Sequence, residues 1–289
     1  MKKYLSLIKF AHTIFALPFA LLGLFLGFQF MQANNMEPDK PYWQSLLLVV
    51  LCMIFARSAA MAFNRYSDRD IDAKNDRTQT REIPAGIITP QNALLFVGLN
   101  SIFFVLTTWF INPLCFYLSP VALMVVLGYS MTKRFTALCH LILGLGLALA
   151  PVGAFLAVTA QFQWEPIILG IAVLSWVSGF DIIYALQDEE FDRQHALNSI
   201  PAWLGKNKAL LVSTFLHFFC ASMIILFGIM TSAGWLFWVG ALAFLFLLGY
   251  QHHLVKPNDL SKVDLAFFTT NGIASVIFAS FAIGELLIR

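Results

Sequence analysis

Residues 43–72 read WQSLLLVVLCMIFARSAAMAFNRYSDRDID, and residues 164–192 read WEPIILGIAVLSWVSGFDIIYALQDEEFD. Each is an apolar run long enough to cross a hydrocarbon core of ~30 Å as a helix, and each ends in polar residues at every fourth position. The two endings are Asn64-x3-Asp68-x3-Asp72 and Tyr184-x3-Asp188-x3-Asp192. Their offset is a constant 120 residues, and Ile-Pro-Ala follows each, at 83–85 and 200–202. A constant offset is the mark of an internal duplication. At about 100° per residue, positions i, i+4 and i+8 form one stripe along roughly 12 Å of helix, so each copy presents its polar groups on a single face.

The rest of the chain extends this pattern. It is 59% hydrophobic and only 12% charged, with a mean hydropathy of +0.76, which excludes an ordinary water-soluble domain. The reading is an all-α polytopic membrane protein with helices near 5–30, 43–66, 91–110, 113–132, 137–160, 164–186, 208–230, 233–254 and 263–287. These nine spans form one bundle and a single domain over 1–289: two four-helix repeats at about 1–132 and 137–254, then the ninth helix. The first run is too long, and too early in a series of spans, for a cleaved signal peptide.

Basic residues orient the bundle, because Lys and Arg collect in loops that stay in the cytoplasm. With residues 1–9, 67–90, 133–136, 187–207 and 255–262 on one side, that side and its helix ends hold all of the 18 Lys and Arg except Lys40, Arg57 and Arg289. The N-terminus is therefore expected inside and the C-terminus outside. Both acidic motifs then lie at the cytoplasmic face of a bacterial inner membrane. The two long loops, 67–90 and 187–207, are expected to cap that face. Cys52, Cys115, Cys139 and Cys220 lack metal-ligand spacing and read as packing residues. No nucleic-acid signature appears.

Oxygen-only ligands in two facing clusters suit Mg²⁺, which completes its shell with water and substrate phosphate. The expected metal ligands are Asn64, Asp68, Asp72, Asp188 and Asp192. Arg77 and Arg81 in the first loop, and Arg193 and Lys206 in the second, would hold an anion directly, as would Tyr129 and Lys133 one turn apart on the fourth span. Arg57 lies two turns before Asn64 and Asp181 two turns before Asp188, deep in their spans. They either line the inner end of the same pocket or pair with each other to join the halves. His140, His217, His252 and His253 show no partner pattern and read as structural.

Together, the paired motifs, Tyr129-x3-Lys133, Arg77-Thr78 and Pro84-Ala85-Gly86 resemble the UbiA-type membrane aromatic prenyltransferases over nearly the whole chain. Arg65 stands where that family often has Asp, and Ala196 where Gly is common. The resemblance implies a polyprenyl diphosphate bridged by Mg²⁺ to both acidic motifs and an aromatic acid, such as 4-hydroxybenzoate, prenylated on a ring carbon for respiratory quinone synthesis. It implies that Arg57, Asp181, Tyr184 and His12 face the acceptor, with Arg57 on its carboxylate and Asp181 at the phenol or the departing ring proton. Trp176 and other aromatics could stabilise an allylic cation through their ring faces. A dihydroxynaphthoate acceptor in menaquinone synthesis is the alternative, and a secondary transporter is the rival outside enzymes. Oligomeric state is left open.

Overall fold

The computed structural model describes residues 2–7 and 15–288, without the side chains of Lys2 and Leu5; His12 lies outside the described residues. Among these the chain is helical, with no strand beyond one isolated bridge between Lys256 and Asp259. The helices are α1 (Lys2–Leu7), α2 (Leu17–Ala33), α3 (Tyr42–Ser67), α4 (Arg69–Asp72), α5 (Pro90–Ile111), α6 (Pro113–Thr132), α7 (Cys139–Thr159), α8 (Trp164–Ala185), α9 (Glu189–Gln194), α10 (Ile200–Met230), α11 (Trp235–Leu254) and α12 (Asn271–Ile288). Eight helical segments among the described residues are long and apolar enough to cross a membrane, and α2 is a shorter apolar helix. The all-helical build follows from the solvent, because backbone polar groups in hydrocarbon must be satisfied within the segment.

Caps set where the helices begin. Thr89 Oγ1 accepts from Asn92 N ahead of Pro90, and Asn112 Oδ1 accepts from Cys115 N ahead of Pro113. Asn112 Nδ2 also donates to Leu156 O at 2.8 Å, tying the start of α6 to the end of α7. Two boundaries differ from the sequence expectation. The first apolar helix is resolved as Leu17–Ala33, preceded by the separate Lys2–Leu7. The seventh span, expected from 208, is preceded by a short helical turn that starts α10 at Ile200. Ser199 caps it by accepting from Ala202 N, and non-helical backbone at Gly205 (φ +77°) separates this opening turn from the long helix that follows.

Helices in lipid associate through close packing and interhelical hydrogen bonds rather than through the hydrophobic effect. The packing here depends on small residues. A Cβ on Gly23 would sit 2.2 Å from Pro151 O, and one on Gly144 would sit 2.5 Å from Leu174 O, so α2 meets α7 and α7 meets α8 backbone to backbone. α8 is the central helix, packed between α7 and α10, and its Trp176 and Phe180 join Phe19, Phe244 and Phe278 in the buried core. Trp176 Nε1 donates to Asn271 Oδ1 at 2.9 Å, and Asn271 Nδ2 donates to Ala266 O at 2.9 Å. The second bond satisfies a carbonyl in the π-helical stretch Leu265–Thr270 that opens the last span. Large apolar side chains such as Leu95, Trp109, Tyr117, Phe215 and Phe246 cover the outer faces of α5, α6, α10 and α11, as lipid contact requires.

Candidate active site

Both acidic motifs open into one cavity of about 300 Å³. α3 ends at Ser67, Asp68 is its C-cap, and Asp72 N bonds Asp68 O at 2.7 Å, so the first motif continues through the short α4 with a bend at Asp68. The second motif runs from Tyr184 on α8 through a 3₁₀ turn at Leu186–Asp188 into α9. Asn64, Asp68, Asp72, Tyr184, Asp188 and Asp192 all line the cavity.

Cations and hydroxyls hold each carboxylate. Lys133 Nζ lies 2.8 Å from Asp68 Oδ2, and Arg134 lies 3.5 Å from Asp68 Oδ1. Asn64 Nδ2 donates to Asp68 Oδ2 at 3.2 Å. Arg81 Nη1 meets Asp72 Oδ1 at 2.7 Å, and Ser199 Oγ donates to Asp192 Oδ2 at 2.8 Å. Arg77 clasps Asp188 through Nε and Nη2, and its Nη1 donates to the Tyr184 hydroxyl at 3.0 Å. Burial works against the Arg77 charge, but the Asp188 carboxylate outweighs it and holds this guanidinium above its usual pKa. Asn75 Nδ2 adds a third donor to Asp188, at 3.2 Å.

Two oxygens in this set have no hydrogen-bond partner although they are buried: Asp68 Oδ1 and Asp72 Oδ2. Among the described residues, no three Asp, Glu, His or Cys side chains converge tightly enough to hold a metal by themselves. This arrangement fits a hard divalent ion that takes one or two carboxylate oxygens from each motif and draws the rest of its shell from water and ligand phosphate.

The deep charges follow the first sequence reading and not the second. Arg57 and Asp181 both line the cavity, but they form no ion pair with each other. Asp181 Oδ2 instead accepts from His140 Nδ1 at 2.7 Å, which gives His140 a partner that the sequence pattern does not show. No sequence pattern points to this contact, because it joins the start of α7 to a residue near the end of α8. Arg57 has no hydrogen bond or ion pair among the described residues, and its Nε is buried. Arg65 is likewise buried on the cavity wall with an unpartnered Nε, facing Asp72 and Glu82 only at longer range.

The remaining expectations divide. Tyr129 and Lys133 line the cavity, whereas Arg193 and Lys206 turn away to Glu189, at 2.6 and 3.9 Å, and are absent from the lining. The Arg193 contact is a local i, i+4 pair on α9. Trp176 is wholly buried in the core rather than in the cavity wall. The aromatic wall is Phe15, Phe180, Phe267 and Phe268, with Phe267 stacked on Tyr184 at 4.1 Å between ring centroids. His217 and His252 are paired with each other at 2.7 Å, away from the cavity.

A second cavity of about 370 Å³, almost entirely apolar, lies among α3, α5, α6 and α7. It shares Arg57, Met61, Tyr129, Leu143 and Leu147 with the polar one. The site is thus a charged chamber beside a greasy one, with Arg57 and Tyr129 between them.

The profile of the UbiA prenyltransferase family matches residues 16–273. The chain belongs to that family. Among curated relatives, a 4-hydroxybenzoate octaprenyltransferase of Saccharophagus degradans is 30% identical over 248 residues, 86% of this chain and 82% of the relative. A UbiA homolog of Aeropyrum pernix K1, solved in its apo form, superposes with TM-score 0.80 at 27% identity, covering 96% of this chain and 97% of that one. A UbiA homolog of Archaeoglobus fulgidus bound to DMAPP and Mg²⁺ has TM-score 0.75 at 21% identity, covering 99% and 100%, a likeness of fold. The chain is accordingly an integral multi-pass membrane protein with the UbiA prenyltransferase fold.

Proposed function

We propose that this UbiA family member transfers a polyprenyl group from polyprenyl diphosphate to a ring carbon of a phenolic acid, 4-hydroxybenzoate above all, releasing diphosphate. The observation that carries this reading is the pair of adjoining cavities. One chamber is lined by carboxylates and cations, the other by side chains suited to an isoprenoid tail, and they meet at Arg57. The name of the 30%-identical relative supports the same acceptor, and the reading puts the product on the way to a respiratory quinone. The reading includes nine spans in two four-helix repeats plus a last helix, loops 67–90 and 187–207 as a cap, and a site facing the cytoplasm of a bacterial inner membrane.

Asp68, Asp72, Asp188 and Asp192, with Asn64 supporting, would hold Mg²⁺, which would supply Lewis-acid neutralisation of the diphosphate. The protein's own cations do the rest of the charge work. Arg77, Arg81 and Lys133 already sit on the acidic motifs and are placed to shift onto phosphate oxygens, with Tyr129 beside them. Breaking the allylic C–O bond sends its electron pair to the diphosphate. The apolar chamber and the Phe180–Phe267 wall limit capture of the allylic cation by water. Arg57 meets the acceptor carboxylate, Tyr184 flanks the ring, and Asp181 takes the proton lost from the substituted carbon.

The test is purified protein with Mg²⁺, a long-chain prenyl diphosphate and a panel of phenolic acids including a dihydroxynaphthoate, read by mass spectrometry. A carbon-prenylated 4-hydroxybenzoate formed without a transmembrane gradient is expected. Gradient-driven uptake of a small solute, with no prenylated product from any acid in the panel, would replace this reading with a transporter.

A further inference from the structure

His140 is held at both ring nitrogens by groups on two other helices. Nδ1 is 2.7 Å from Asp181 Oδ2 on α8, and Nε2 is 3.3 Å from the backbone N of Ile200, the first residue of α10. A backbone N–H can only donate, so Nε2 is the acceptor and carries no proton. The ring proton must therefore sit on Nδ1, where it is donated to Asp181. The ring is 3% exposed, which leaves it little freedom to turn over. Ser178 Oγ donates to the His140 carbonyl at 3.1 Å and fixes the start of α7 against α8 as well.

We propose that His140 is a positioning residue for ring deprotonation: it clamps one oxygen of Asp181 and leaves the other, Oδ1, as the base that faces the acceptor. Asp181 Oδ1 has no hydrogen-bond partner among the described residues, and the side chain is 21% exposed in the cavity wall. This inference rests on the prenyl-transfer reading above. In the step concerned, the new C–C bond has formed and the allylic C–O pair has left with diphosphate. The ring carbon then loses its hydrogen, the C–H electron pair restores aromaticity, and the proton passes to Asp181 Oδ1.

The same geometry excludes a relay. With Nε2 occupied by the Ile200 N–H, His140 has no acceptor atom left to carry the proton onward, so its part is orientation and not shuttling. The clamp also ties the acceptor end of the site to the acidic end. Ile200 follows Ser199, whose hydroxyl holds Asp192, so one helix start steadies a carboxylate of each kind.

The test first requires that wild-type protein form prenylated 4-hydroxybenzoate; without that product the prenyl-transfer reading itself has failed. Given product, His140→Leu is expected to lower kcat about 10–100-fold with the acceptor KM little changed, since a general base is worth about 10²–10⁴ when intact. Ring-deuterated acceptor should show a larger primary isotope effect in His140→Leu than in wild type, because proton loss becomes slow. His140→Gln, which offers one donor to Asp181 and one acceptor to Ile200, should restore most of kcat and the wild-type isotope effect. A His140→Leu enzyme with an unchanged isotope effect would overturn the proposal, whatever its rate. Should His140→Leu fail to fold, nitrogen-15 NMR of histidine-labelled wild-type protein carries the test. The His140 signals, assigned by their loss in His140→Gln, must show a protonated Nδ1 and a bare Nε2, and a protonated Nε2 would refute the clamp.

Discussion

Arg77, in the loop after the first acidic motif, donates from Nε to Asp188 Oδ1 of the second motif at 3.1 Å, and its Nη2 closes on the other carboxylate oxygen. Bidentate pairing of this kind is geometrically specific. It joins the two copies of the duplicated motif across the mouth of the cavity, over a separation of 111 residues. The pair occupies the groups that a diphosphate and its metal would use, so binding must exchange Arg77 from carboxylate to phosphate. Arg77→Met should weaken prenyl diphosphate binding by about tenfold or more, as loss of a hydrogen bond to a charged group costs about 1.5–3 kcal/mol. Both partners are partly exposed, at 32% and 20%, so thermal stability should move little. Calorimetric titration beside a melting curve checks both halves, and a large stability loss with unchanged affinity would assign the pair to folding alone.

Asp68 and Asp192 belong to different copies, yet each is expected to matter to the same metal-bridged ligand. Asp68→Asn or Asp192→Asn should each cost at least ~10² in kcat/KM, a scale matching the loss of ~2.7 kcal/mol of electrostatic stabilisation. Chelation of Mg²⁺ should abolish turnover and re-addition restore it. Either variant running at wild-type rate under limiting Mg²⁺ would dismiss the two-motif site.

The spans and the motif residues are legible in the sequence because their signals are local: an apolar run of a helix's length, and polar groups repeated every fourth residue. The short turn that opens α10 is less so, since non-helical backbone at Gly205 sets it apart from the long helix that follows. The His140–Asp181 contact and the Asn75 donor to Asp188 are invisible for a different reason. Each joins residues with no shared periodicity, brought together by how α7, α8 and the first loop pack. Arg193 and Lys206 show the converse: their charge marked them as anion ligands, but the nearby Glu189 captures both.

Arg65 makes a prediction with two opposite signs. It is 6% exposed with no ion pair among the described residues, so in the empty site its charge is buried without close compensation. Taking such a charge out of water is expensive, and an anionic ligand in the cavity would offset that cost. Arg65→Met should therefore raise the melting temperature of the ligand-free protein while weakening prenyl diphosphate binding about tenfold, the size of one charge-assisted contact. Melting curves with and without diphosphate read both effects together. A variant destabilised in the empty state would show that longer-range attraction to Asp72 and Glu82 already offsets the burial.

Arg57 tests how the acceptor is read. Its Nε is buried without a partner, and the residue stands where the charged and apolar chambers join. Asp181 is engaged by His140, so a carboxylate brought by the acceptor is the natural counter-charge for Arg57. Arg57→Leu should weaken binding of the aromatic acid by ~2 kcal/mol or more, the scale for breaking a buried charge pair, and leave prenyl diphosphate binding nearly intact. A phenol lacking the carboxylate gives the sharper comparison. It should bind wild-type protein more weakly than the acid, yet bind Arg57→Leu about as well as the acid does, because one interaction cannot be lost twice. Inhibition constants for acid and phenol against both proteins complete the cycle. Equal penalties for the phenol in the two proteins would mean that Arg57 does not touch the carboxylate, and would direct attention to Arg65, the other unpaired guanidinium on the wall.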